Sequence, residues 1–443
     1  MCHALRCGLL FAAMNFCVCV AAEDAKPQPA KPLLRDFLGL CTHTVQFKPK
    51  LYQSICRLAR DYHPLEWDVG KDSDYAPKFP EARNRVDWNA VYGSWKDAGF
   101  DVDCSIMFET LPHDGWKDLP RDSFNYGKAF AKFFGPSSDK KLVSSVEIGN
   151  EPGKYDDPTY RKLFESMAKG LREGDPKLTI ATCNTTAGKS GGYEKSLECV
   201  KGLEALYDVI NVHDYAMVEG WPTWRRSFPE DPKIKYLKDL QAVIDWRDKN
   251  ALGKQIWLTE FGWDCTTQKP DPKTEFAKWV GVTDTQQAQY LVRSTLVFMG
   301  MDVSHAYIYW FNDEDKASLH AASGITRNWK PKQSYWALAH LYKTLGDYRF
   351  VKSREKVDGD IYVFEFESGT DPKKRILAVW SPTGEGKKGE KELDLAGAKL
   401  IKAERMPLKE GDVAPEALEA KAGKVKVNFD EAPLYLWLEA PAK

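Results

Sequence analysis

Between residues 35 and 345, short apolar runs alternate eight times with stretches of helical spacing, and no other feature constrains the fold as tightly. Apolar runs bounded by turn residues, each followed by an amphipathic segment, predict parallel strands joined by helical crossovers. The expected strands are Asp36–Cys41, Ile55–Arg60, Phe100–Phe108, Leu142–Ile148, Leu178–Thr182, Tyr207–Val212, Gln255–Thr259 and His305–Trp310. Helical spacing is read over Trp88–Gly99, Ser123–Phe134, Tyr160–Glu173, Leu197–Leu206, Ile234–Lys249, Thr285–Met301 and Ser334–Leu345. The class is α/β, a (β/α)₈ TIM barrel over 35–345. A doubly wound sheet is disfavoured, because no Gly-rich nucleotide turn follows the first strand, in which Gly39 stands alone. Beyond residue 345 the texture changes to short strands (Ile361–Phe366, Ile376–Trp380, Ala398–Ile401, Val425–Val427, Leu434–Leu438) between charged turns. A small C-terminal β-sandwich is expected over 346–443. Gly384–Glu392 reads as a solvated turn and Pro415–Lys424 as the one helical stretch there.

The ends and the charge narrow the function. Residues 1–22 read as a signal peptide: Arg6, then Leu9–Val20 apolar apart from Asn15, then small residues before Glu23. That predicts a secreted or periplasmic protein. Residues 23–34, with Pro27, Pro29 and Pro32, read as a linker. A net charge of −1 gives no electrostatic reason to expect nucleic acid as a partner. No later run is long and apolar enough for an integral membrane segment. Six cysteines follow the signal (Cys41, Cys56, Cys104, Cys183, Cys199, Cys265), without a Cys-x-x-Cys pair, and the His residues do not pair at ligand spacing. Neither a metal nor another cofactor is expected. Four of the thiols fall in or beside apolar strands, where a buried free thiol is the usual state. Any disulfide pairing stays open.

Two strands deliver a carboxylic acid at their C-terminal ends, where barrel enzymes carry their chemistry. Ser145-Val146-Glu147-Ile148 leads into Gly149-Asn150-Glu151-Pro152, and Ile256-Trp257-Leu258-Thr259 leads into Glu260-Phe261-Gly262-Trp263. A Glu beside a Pro is, alone, most often a helix-start residue. Together the two lie 109 positions apart, the length of three strand–helix units, so both reach the barrel mouth. Glycosidic cleavage needs such a pair: an acid to protonate the leaving oxygen and a carboxylate across the anomeric carbon, about 5–5.5 Å away in retaining enzymes.

Asn150-Glu151-Pro152 and Thr259-Glu260-Phe261-Gly262-Trp263 resemble the acid/base and nucleophile signatures of the clan A glycoside hydrolases. Asn211-Val212-His213-Asp214-Tyr215 resembles the His-x-Tyr of that clan's sixth strand. The resemblance implies a retaining mechanism on a carbohydrate substrate, with Glu151 as acid/base and Glu260 as nucleophile. It further implies that Tyr215 bonds the nucleophile, Asn150 holds a sugar hydroxyl, and His213, Arg60 and Trp310 line the subsite. Trp67, Trp221, Trp224 and Trp263 fall in strand-end loops, and Trp263 is taken as a substrate contact. The third strand ends Phe108-Glu109-Thr110-Leu111-Pro112, without the His of family 5; with Trp116 this leans towards family 39. Each helper has a structural alternative: His213 as a core histidine, Arg60 as a partner of Asp61 or Glu66, Trp310 as packing. Two other functions share these residues, an inactive carbohydrate-binding barrel and a transglycosylase. Turnover, and whether water or sugar accepts the glycosyl group, discriminates them.

Overall fold

The computed structural model describes residues 30–441, so the expected signal segment and most of the expected linker lie outside the described residues. Eight parallel strands form the barrel: β1 (Leu38–Thr42), β2 (Leu58–Pro64), β3 (Asp101–Met107), β4 (Ser145–Ile148), β5 (Thr179–Thr186), β6 (Val209–His213), β7 (Gln255–Phe261) and β8 (His305–Ile308). Pairing of β1 with both β2 and β8, and of β4 with β5, closes the ring. Cys41, Leu58, Ala181, Val209, Trp257 and Tyr307 fill the barrel interior. Gly39 is what admits Tyr307: a Cβ there would lie 2.3 Å from the ring.

Helices α1 (Trp88–Asp97), α2 (Leu119–Phe134), α3 (Asp157–Gly174), α4 (Tyr236–Asn250), α5 (Asp284–Gly300) and α6 (Gln333–Leu345) cover the outside. α2 begins four residues before the expected Ser123, because Asp118 caps it, accepting from the Arg121 amide, and Pro120 pre-sets the first turn. The expected helix Leu197–Leu206 is instead two 3₁₀ turns, Leu197–Cys199 and Glu204–Leu206. Its buried Leu197, Val200 and Leu203 recur every three positions, the 3₁₀ period, with Cys199 buried beside them, and Gly202 breaks the run at φ 83°. β2 also differs from expectation. Ile55 and Cys56 belong to the preceding turn, and the strand continues through the polar run Asp61-Tyr62-His63. At the linker's end, Leu33 pairs with Arg349 and Leu34 is buried.

The C-terminal segment is a sandwich of a five-stranded and a three-stranded antiparallel sheet. Its strands are β9 (Tyr348–Val357), β10 (Ile361–Ser368), β11 (Lys374–Trp380), β12 (Gly389–Asp394), β13 (Lys399–Arg405), β14 (Ala420–Lys421), β15 (Lys424–Phe429) and β16 (Leu434–Glu439). The expected turn at Gly384–Glu392 is therefore partly strand, and the expected helix Pro415–Lys424 is not formed. β12 was masked by its charges, which lie outward and pair across to β15 (Lys424–Glu392, 2.8 Å) while Leu393 turns inward. One face of the large sheet meets the small sheet through Val363, Leu377, Val427 and Leu436. Its other face carries Phe364, Phe366, Ile376 and Trp380 into the barrel's own core. At that junction the fully buried Arg293 of α5 is paired to Glu230, whose Oε1 also accepts from Trp380 Nε1 at 2.7 Å.

All six cysteines among the described residues are free and buried. Burial pushes the Cys56 thiol up to about 12. No helix among the described residues is long and apolar enough to cross a membrane.

Removing the Glu230 carboxylate would strand a buried guanidinium. Glu230→Ala is expected to lower the unfolding free energy by about 3–5 kcal/mol, read from urea denaturation.

Candidate active site

The C-terminal ends of the strands converge on one buried cation. Arg60 of β2 has no solvent exposure. Its Nε and Nη2 donate to the two oxygens of Glu147 on β4 at 2.8 and 2.7 Å, a bidentate pair. Its Nη1 donates to Glu260 Oε1 at 3.0 Å, and Nη2 also reaches Asn150 Oδ1 at 2.9 Å and His213 Nε2 at 3.3 Å. Arg60 therefore joins β2, β4, β6 and β7 rather than pairing locally with Asp61 or Glu66. Period two in a strand brings Tyr62 to the same side, and its hydroxyl donates to Glu260 Oε1.

Glu260 is aimed inward by an irregularity of β7. Val212 pairs with Leu258 but His213 pairs with Glu260, so Thr259 is an extra residue on that strand. The carboxylate is 5% exposed, with Tyr215 donating to Oε2 at 2.8 Å. Burial alone would raise its pKa. The Nδ1 hydrogen of His213, the Arg60 guanidinium and the hydroxyls of Tyr62 and Tyr215 outweigh that and hold it at about 2.

His213 sits between the two carboxyls. A guanidinium can only donate, so the Arg60 contact makes Nε2 an acceptor and puts the ring proton on Nδ1. Nδ1 is 3.0 Å from Glu151 Oε1 and 3.6 Å from Glu260 Oε2. By the same logic, Asn150 uses Oδ1 on Arg60 and keeps its amide hydrogens for the mouth. Ligand oxygens of Glu151 and Glu260 and a nitrogen of His213 lie within 4.8 Å of one another. That spacing could ligate a small cation, a cluster no sequence interval revealed. A cation there would also face the Arg60 guanidinium, which already bonds two of the three groups.

Glu151 is the more open acid, its side chain 28% exposed. It lines a cavity of about 420 Å³ shared with His213, Tyr215, Asn184, Trp224 and His320. Its loop is braced from below by Glu109, which follows β3. Glu109 Oε1 accepts from the backbone amides of Asn150 and Glu151 at 2.8 and 3.0 Å. Burial pushes the Glu109 carboxyl up to about 7, against the pull of those amides.

The structure thus brings together Arg60, Asn150, Glu151, His213, Tyr215 and Glu260. Trp310 is half-buried at the mouth, its ring 5.5 Å from that of Tyr62. Trp263 does not belong to this group. It is fully buried, donates Nε1 to Ser227 O at 2.7 Å, and packs between Tyr236 and Tyr290. Gly262 lies against the Tyr309 carbonyl, where a Cβ would come within 2.2 Å of the oxygen. Trp67 stacks on Trp88, and Trp221 is 71% exposed outside the cavity. Sequence reading missed Tyr62 and Glu147. Tyr62 was legible as the residue two after Arg60; Glu147 only as a charge inside an apolar strand.

Sequence comparison finds no matching family model and no matching curated protein. Structure comparison finds a family 39 glycoside hydrolase from the gut symbiont Bacteroides cellulosilyticus WH2, with TM-score 0.68 and 17% identity, over 92% of this chain and 81% of that one. A family 30 subfamily 8 xylanase from Clostridium acetobutylicum aligns with TM-score 0.59 and 12% identity, over 93% of this chain and 97% of its own. A family 51 α-L-arabinofuranosidase from Bifidobacterium longum gives TM-score 0.61 and 12% identity, over 93% and 97%. The fold is that of these glycoside hydrolases.

The two perturbed carboxyls bear on stability in opposite directions. Glu260 is held below its ordinary 4.5, so its contribution is present above pH 4.5 and is lost as pH falls towards 2. Glu109 is held above its ordinary 4.5, so its contribution is present below pH 4.5 and is lost as pH rises towards 7. In urea unfolding, Glu260→Gln should flatten the acid-side loss and Glu109→Gln the loss between 4.5 and 7, each by up to about 3 kcal/mol.

Proposed function

We propose that the protein is a retaining glycoside hydrolase that cleaves O-glycosidic bonds of a poly- or oligosaccharide by double displacement. The observation that carries this is the carboxyl pair itself. Oxygens of Glu151 and Glu260 lie within 4.8 Å across the barrel mouth, close to the short spacing of retaining enzymes. The two environments are matched to different tasks. Glu260 is buried and held ionised, as a nucleophile requires. Glu151 is open to the cavity and carries a donor at one oxygen only, leaving the other for a proton in transit.

In the first step a Glu260 oxygen attacks the anomeric carbon while Glu151 passes its proton to the departing glycosidic oxygen. In the second, Glu151 takes a proton from water, whose oxygen displaces Glu260 and frees the sugar. Arg60, Tyr62 and Tyr215 hold the nucleophile, and Asn150 has amide hydrogens free for a sugar hydroxyl. The similar solved structures include a xylanase and an arabinofuranosidase, which makes pentose-containing glycans the first substrates to test. The leader-like residues 1–22 support export, to the periplasm or outside the cell. N-terminal sequencing of the mature protein should then begin near Glu23.

Glu260→Gln is expected to raise the barrier by at least about 4 kcal/mol, roughly a thousandfold in kcat. Glu151→Ala should lose activity on unactivated glycosides yet recover it on dinitrophenyl glycosides with added azide, which yields the glycosyl azide of retained configuration. Full turnover by Glu260→Gln would overturn the assignment.

A further inference from the structure

Resting on the reading of Glu151 as proton donor, we propose that Tyr193 and Glu194, on the loop after β5, form a binding site for a neutral sugar on the leaving-group side of the bond cleaved. A proton donor must face the oxygen that departs. Glu151 lines the cavity of about 420 Å³, whereas Glu260 lies beneath it at 5% exposure. The space in front of the acid is therefore the leaving group's. Tyr193, Glu194, Asn184 and Thr186 form one wall of it.

That wall is built in register with the acid. A Cβ on Gly153, two residues after Glu151, would lie 1.8 Å from the Gly192 carbonyl oxygen, so the two loops touch backbone to backbone. Lys195, 2% exposed, donates its ammonium to the Tyr155 carbonyl and lies 3.5 Å from Asp157. The Gly191 amide closes on the Glu194 carbonyl at 3.0 Å, and the Ser196 amide donates to Ser190 Oγ at 2.8 Å. The loop is ordered by its own bonds before any ligand arrives, so binding to it forfeits little conformational freedom.

What this ordered loop leaves unpaired is suited to a sugar. Among the described residues, the Glu194 carboxylate has neither a hydrogen-bond nor an ion-pair partner, although it is half-buried in the cavity wall. Asn184 gives its Oδ1 to the His213 amide at 2.8 Å, which leaves its two amide hydrogens to donate. Tyr193 holds its ring 64% exposed on a loop that is otherwise pinned. A carboxylate accepts hydroxyls, an amide donates to them, and an aromatic face receives the C–H side of a pyranose. The charge of the cavity excludes one class. Glu194 and Asp239 line it beside Glu151. Among the described residues the one guanidinium there, Arg226, is taken by Asp264 at 3.3 Å and by the Gly262 carbonyl at 2.8 Å. A uronic or sulfated leaving sugar would meet uncompensated negative charge, so the site takes a neutral one.

The test compares a trisaccharide, which fills the site, with the corresponding glycosyl fluoride, whose leaving group does not. Xylo-, gluco- and arabino-configured pairs are assayed with the full chain, and the pair that turns over is used. In Tyr193→Ala and in Glu194→Ala the ratio of kcat/KM for trisaccharide to fluoride should fall about tenfold. Tyr193→Phe, which keeps the ring, should hold the wild-type ratio. Glu194→Lys should raise relative cleavage of a trisaccharide bearing a uronic acid at the leaving position. A ratio within twofold of wild type in both alanine variants overturns the proposal, as does equal loss in Tyr193→Phe and Tyr193→Ala. A wild-type protein that cleaves none of the pairs removes the catalytic reading, and this site with it.

Discussion

The mouth of the barrel is organised around one guanidinium without water. Arg60 carries a full charge in the interior, and such a charge is tolerated only when every donor is engaged and the charge is compensated. Glu147 and Glu260 supply the compensation from β4 and β7, while Asn150 and His213 take the remaining reach of Nη2. Strands that are far apart in the chain thus have their ends fixed by a single planar group. The same contacts dictate the His213 tautomer and the orientation of the Asn150 amide, neither of which can reverse without turning an N–H onto the guanidinium. The ionised state of Glu260 follows from this: its carboxylate is the anion that Arg60, Tyr62 and Tyr215 are arranged to receive.

How much of this was legible depended on whether a residue's role is written locally. Glu151 and Glu260 stood out because each terminates an apolar run, a pattern that survives translation into strand and mouth. Tyr62 did not, because Asp61-Tyr62-His63 looks like loop. Their burial is made possible by partners from elsewhere, such as Tyr92 for Asp61 at 2.6 Å and Asp68 for His63 at 2.8 Å. Trp263 differs for the converse reason: its position after a strand suggests the mouth, but its ring is buried between Tyr236 and Tyr290 and bonded to the Ser227 carbonyl. Period could mislead as well. Leu197–Leu206 is apolar at every third residue, which fits a helix loosely and a 3₁₀ turn better. In the sandwich, edge strands carry charges that discourage pairing with other chains, and those same charges hide them from a search for apolar runs.

The sandwich is not an independent appendage. Its large sheet is covered on both faces, by the small sheet on one side and by the barrel on the other. Trp380 and Glu230 carry a hydrogen bond through that junction to the Arg293 ion pair, so the contact is polar at its centre and apolar around it. Neither part could expose this surface to water without leaving a charge and a broad aromatic face uncovered.

The six sealed thiols give the molecule an internal gauge of its own integrity. Cys41 and Cys104 lie on β1 and β3, Cys56 in the turn before β2, Cys183 on β5, Cys199 in the 3₁₀ turn after β5, and Cys265 in the loop after β7. Thiol reagents act on the thiolate, which burial suppresses here, so each site becomes chemically visible only when its own part of the barrel opens. The order in which they become reactive would trace the sequence of opening around the ring, from loops to strands, without any probe being added to the chain.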